Sequence, residues 1–160
     1  MKRSWIKRSK SPRKKIIDKV KTLMRQILKL RDGDRCFFCG KPGSHFKYPL
    51  SLFHILSVGS YPRLECEIEN TVLACWGDFP FKCCHNLWED RVEPHKSWME
   101  EKLLVIKGAN YKDALKIQNK ILPPLNAVRA EWYLEYYKQE LERLQKGKYE
   151  EPKGNFRRIL

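Results

Sequence analysis

The chain has 160 residues, 42% of them apolar and 32% charged, and a net charge of +14. That supports one small domain with extensions and leaves little apolar surplus for a large core. No apolar run approaches the roughly 20 residues that span a bilayer, and no short apolar stretch precedes a small-residue cleavage site. Neither a membrane span nor export is expected, and a cytoplasmic, reducing setting is. Six cysteines in such a setting read as thiols or metal ligands rather than disulfides.

The charge is unevenly spread. Residues 1–35 carry 14 Lys/Arg against 3 acids, residues 36–100 carry 6 against 8, and residues 101–160 carry 13 against 8. A nearly neutral centre between two basic flanks suits a site held on a phosphate backbone by its surroundings. The plainer reading of the flanks is a solubilising tail. Arg3, Lys7, Arg8, Lys14 and Lys15 are the candidate phosphate contacts.

Residues 1–13 are basic, polar and too poor in apolar side chains to order alone. From 14 to 30, Ile16, Ile17, Val20, Leu23, Met24, Ile27 and Leu28 recur at the spacing of one helix face. Asp32-Gly33-Asp34 then supplies a stop, and Cys36-Phe37-Phe38-Cys39-Gly40 follows at once. Residues 41–48 are loop. Stretches 50–56 and 64–74 read as two short strands, joined by a turn through Gly59, Ser60 and Pro62.

A segment beginning Trp76-Gly77 interrupts the second strand, and a short helix is expected over 84–90. Pro94 suits the first turn of a helix over 94–106, with Trp98, Leu103 and Ile106 inward. A helix over 110–122 is broken by Pro123-Pro124, and the last runs over 125–146. On that last helix Leu134, Tyr137, Leu141 and Leu144 share a face, with Val128, Trp132 and Tyr136 beside it. Trp132, Tyr136 and Tyr137 form either core or a dimer face rather than a platform for bases. The chain thus divides into a tail (1–13), a core with a leading basic helix (14–93), a helical extension (94–147) and a second tail (148–160).

The cysteines organise the core. Cys36 and Cys39 offer two thiolates at the bite of a tetrahedral ion, and a second group downstream closes a structural zinc site. Cys75 is one member of that group. Cys84 is taken as the other, with Cys83 as the alternative. Cys66, inside an expected strand, reads as a small buried residue.

Between the two groups lie His54 and Asn70, and His85 follows Cys84. With Arg31-Asp32-Gly33 before the first pair and Gly59 after His54, the series resembles the HNH (ββα-metal) nucleases over about residues 25–107. It is most like small phage-type members related to the NinG recombination proteins. The resemblance implies an α+β fold: a zinc-stapled ββα-metal core between a basic helix and a helical extension.

It also implies a metal-dependent DNA endonuclease. In that reading His54 is the general base, Asn70 bonds across the hairpin, and His85 binds the catalytic Mg2+ or Mn2+. The chemistry is coherent, because imidazole titrates near neutral pH and a divalent ion stabilises the leaving oxyanion. Glu89, four residues beyond His85, shares its helix face and is a candidate second ligand.

Two features depart from the family. Phe53 stands where a metal-binding Asp or His precedes the base, and seven residues rather than two separate Cys75 from Cys83. Glu89, Asp90 or His45 would have to compensate for Phe53. Trp5, Trp76 and Phe79 are candidates for stacking on bases. The expected partner is DNA, branched or otherwise structured, with RNA as the alternative and no membrane. The rival function is a zinc-stabilised DNA- or RNA-binding protein on a scaffold that has lost catalysis.

Overall fold

The computed structural model describes residues 10–77, 83–91 and 93–147. Helix α1 (Pro12–Asp32) begins where Ser11 Oγ accepts the Lys14 amide at 3.3 Å and Pro12 occupies the first turn. It ends at Gly33, whose φ of +83° suits a residue without a Cβ. Ile17, Val20, Met24, Ile27 and Leu28 are its buried stripe. Each such side chain contributes about 1.5–3 kcal/mol on burial.

Strands β1 (Ser51–His54) and β2 (Thr71–Ala74) form an antiparallel hairpin with Ser51 opposite Ala74 and His54 opposite Thr71. Four helices follow: α2 (Cys84–Glu89), α3 (His95–Lys107), α4 (Tyr111–Ile121) and α5 (Ala127–Gln145). α5 returns along α1, burying Ala130, Tyr133 and Tyr137. The fold is α+β, and no helix among the described residues is long and apolar enough to cross a membrane.

The strands are shorter than expected. The second begins at Thr71 rather than near residue 64, because residues 62–64 and 68–70 form single 3-10 turns. The alternation Leu64, Cys66, Ile68 imitates a strand, but its backbone groups are bonded elsewhere. Tyr137 Oη donates to Cys66 O at 2.8 Å and accepts from Ile68 N at 3.1 Å. The first strand stops at His54 because the Asn70 side chain takes both backbone groups of Leu56.

Trp98 and Ile106 do not face inward. They are 43% and 54% exposed, and α3 instead buries Met99 and Leu103, an i, i+4 pair. Val128 and Trp132 are exposed on α5, with Trp132 stacked on Tyr136 at an interplanar angle of 7°. Cys66 is fully buried, and burial lifts its thiol pKa to about 12.

A buried polar network ties the extension to the core. Arg129 Nη2 lies 3.0 Å from Glu67 Oε1 and 3.2 Å from Arg63 O, and Tyr133 Oη donates to the same carboxylate. Arg63 Nη1 reaches the carbonyls of Lys120 and Leu122 at 2.9 and 2.8 Å, closing the end of α4. Burial raises the Glu67 pKa more than Arg129 and Gln118 lower it.

Candidate functional site

The knuckle turns on backbone bonds. Gly40 N donates to Cys36 O and Cys36 N to Lys41 O, each at 2.9 Å, and Gly40 takes a φ of +72°. Phe37 N then donates to Leu73 O at 2.8 Å, which attaches the knuckle to β2. Cys75 follows β2 directly, and Cys84 opens α2.

The Sγ atoms of Cys36, Cys39, Cys75 and Cys84 all lie within 4.8 Å of one another and could hold a metal ion. Cys83 is outside this group, at the cap position of α2. A tetrahedral zinc with Zn–S bonds of about 2.3 Å sets S···S edges of about 3.8 Å. The Cys39–Cys75 separation of 3.9 Å suits that edge.

The sulfurs also receive backbone donors: Cys75 N to Cys36 Sγ at 3.4 Å and Cys84 N to Cys75 Sγ at 3.3 Å. Hydrogen bonds from Cys75 and Cys84 hold Cys36 toward the thiolate, and the protons stay on those partners, with Cys84 pushed up to about 12. Four thiols at this spacing, one of them held toward the thiolate by its neighbours, fit a thiophilic cation.

Successive residues of β1 point to opposite faces. Ser51 and Phe53 face α2, where Ser51 Oγ lies 2.8 Å from His85 Nδ1 and the Phe53 ring meets the His85 ring at 5.3 Å. Phe53 is fully buried, edge-on to Phe38 and Trp88. The residue expected to be an extra ligand position is therefore part of the aromatic floor beneath His85.

His85 Nε2 lies 3.1 Å from Glu89 Oε1, so the two predicted ion ligands come together on α2. Two ligands about 3 Å apart span the cis edge of an octahedral ion bound at about 2.1 Å. Among the described residues, no third His, Cys, Asp or Glu joins this pair, and His45 lies instead against Phe46.

His54 takes the other face. Its Nε2 is 3.1 Å from Glu65 O, and a carbonyl only accepts, so Nε2 carries the proton and Nδ1 the lone pair. Burial lowers the His54 pKa to about 4, with the positive charge of Lys21 adding to the effect and the Glu65 carbonyl and carboxylate opposing it. Burial also opposes ionisation of the Glu65 carboxyl, but Lys21 at 2.8 Å and Lys14 at 3.7 Å outweigh it and keep its pKa low.

Asn70 is fully buried. Its Oδ1 accepts from Leu56 N at 2.9 Å, its Nδ2 donates to Leu56 O at 3.0 Å, and its own carbonyl accepts from Ile55 N at 2.9 Å. The loop after His54 is thus held by three bonds from Asn70, the residue just before β2. Comparison with protein-family models, with curated proteins and with solved structures finds no match.

The remaining expected contacts divide. Lys15 is exposed on α1, whereas Lys14 turns to Asp18 and Glu65. Trp76 is 37% exposed, and its ring meets Tyr48 at 5.6 Å. Arg3, Trp5, Lys7, Arg8, Phe79 and the segment 148–160 lie outside the described residues. Three residues of this region carry no motif signal. Ser51 touches His85, Trp88 stacks at 6.3 Å on Phe38, and Lys102 Nζ donates to Phe38 O at 2.5 Å. Only the strand register and the placement of α2 and α3 bring them in.

Proposed function

We propose that this protein is a metal-dependent DNA endonuclease of the HNH kind, with structural zinc on Cys36, Cys39, Cys75 and Cys84. The observation that carries the reading is the Asn70 clamp on Leu56, which holds the loop after His54 against the strand that leads into the thiol cluster. A catalytic base needs this rigidity, because small misplacements cost large factors in rate.

His54 would take a proton from water at Nδ1, while the Glu65 carbonyl holds the proton on Nε2. A phosphodiester anion beside the ring would raise its pKa from about 4 toward neutrality and strengthen it as a base. His85 and Glu89 would hold Mg2+ or Mn2+, which when bound supplies charge stabilisation at the leaving oxygen. Lys15 and the basic N-terminal segment would contact phosphates, making affinity strongly salt-dependent.

The buried Phe53 favours a second reading, a zinc-stabilised DNA- or RNA-binding protein without catalysis. Incubation of zinc-loaded protein with plasmid and branched DNA, with Mg2+, Mn2+ or EDTA, separates the two. The nuclease reading expects metal-dependent cutting that falls about 100-fold or more in His54→Ala. Binding without any cutting would sink it in favour of the second reading.

A further inference from the structure

Ser51 stands outside the His–Asn–His series, yet its position is fully specified. Its Oγ lies 3.1 Å from Ala74 O and 2.8 Å from His85 Nδ1. A hydroxyl has one proton and a carbonyl oxygen only accepts, so the Ser51 proton is committed to Ala74. The remaining lone pair on Oγ faces Nδ1, and Nδ1 must therefore supply the proton of that second bond.

In a neutral imidazole the lone pair then belongs to Nε2, 3.1 Å from Glu89 Oε1. A carboxylate oxygen likewise only accepts, so these two acceptors converge on a place for a cation, a second proton or a metal ion. The rest of His85 is anchored to the same place, because its backbone N donates to Cys75 O at 3.1 Å. Phe53, edge-on at 5.3 Å, packs beside the ring.

We propose that Ser51 is a positioning residue that keeps the His85 proton on Nδ1 and turns Nε2, together with Glu89, toward a divalent cation. This rests on the reading of His85 and Glu89 as the ion-binding pair. The role matters more here than in a site with many ligands. With no third His, Cys, Asp or Glu joining the pair among the described residues, the orientation and tautomer of this one ring decide whether the two ligands converge.

The test uses the zinc-loaded full chain as wild type, Ser51→Ala, Ser51→Thr and His85→Ala. Mn2+ affinity is measured by electron paramagnetic resonance, and the His85 tautomer by 1H–15N correlation spectra of protein without Mn2+. Ser51→Ala is expected to weaken Mn2+ binding about 10- to 100-fold, with Ser51→Thr close to wild type. The wild-type ring is expected to carry a proton on Nδ1, and the Ser51→Ala ring to lose that preference. A wild-type ring in the Nε2–H form overturns the role of Ser51, as does a Ser51→Ala protein with unchanged tautomer and Mn2+ affinity. Mn2+ binding that survives His85→Ala instead overturns the ion site itself, and with it any action of Ser51 on an ion.

Discussion

The hairpin end and the helical pair α1–α5 are held together by different physics. β1 and β2 have four residues each, and a two-stranded ribbon of that length is at best marginal on its own. Four thiols converge where β2, the knuckle and α2 meet. The helical pair instead has Ile17, Val20, Met24, Ile27 and Leu28 on α1 and Ala130, Tyr133 and Tyr137 on α5, and the Glu67–Arg129–Tyr133 network ties α5 to the loop between β1 and β2. One region gathers four thiols that could hold an ion, and the other rests on apolar burial. His54 and His85 therefore sit on the part of the molecule whose thiols could hold a metal.

The largest effect should come from the thiols, since structural zinc in small sites supplies about 10–16 kcal/mol of apparent binding energy. Cys84→Ser should abolish stoichiometric zinc and the amide protection of the hairpin while leaving most α1–α5 helicity. Cys83→Ser should retain full zinc. Zinc analysis with hydrogen exchange reads both, and equal loss in the two variants would break the distinction drawn here between the cysteines.

Arg129→Ala attacks the other region. It strands the buried Glu67 carboxyl, and removing one partner of such a pair costs about 3–5 kcal/mol. The cost should appear in urea midpoints with zinc content unchanged. Asn70→Ala leaves the N–H and C=O of Leu56 unpaired in the interior, at about 1–3 kcal/mol for each group. Its signature would be local, with faster exchange at Ile55 and Leu56 and little change in α5.

The smallest effect is a pH dependence. The His54 pKa lies at about 4 in the folded chain against 6.5 ordinarily, so the unfolded chain binds the proton first as pH falls. Stability should be complete above about 6.5 and be lost progressively toward pH 4, by up to about 3 kcal/mol. Comparison of wild type with His54→Gln isolates this contribution from acid release of zinc, which both proteins share. Parallel pH profiles would show that His54 is not the residue responsible.

Much of this architecture is legible in the residues alone. The α1 stripe, the knuckle, the short helix after Cys84 and the break at Pro123-Pro124 each depend on local spacing and turn chemistry. The errors share a cause, which is a decision made by distant partners. Leu64 to Ile68 alternates like a strand, yet Tyr137 satisfies its backbone from α5, so no ladder forms there.

The apolar residues of α3 outnumber the positions it can bury, and only packing selects Met99 and Leu103 over Trp98 and Ile106. At the site, His85 and Glu89 were visible as an i, i+4 pair. Ser51 was not, because it reaches His85 only through the register that sets it opposite Ala74.

Tyr137 has one more implication, for the order in which a chain made from its N-terminus can finish folding. The loop between β1 and β2 relies on a hydroxyl 71 residues beyond Cys66, which leaves the ribosome long after His54 and Asn70. The four thiols are all present once Cys84 has emerged, but the hydroxyl that bonds Cys66 O and Ile68 N arrives only with α5. A nascent chain halted before Tyr137 would hold the complete set of thiols while the backbone groups of Cys66 and Ile68 still lack the partner that pairs them in the finished protein.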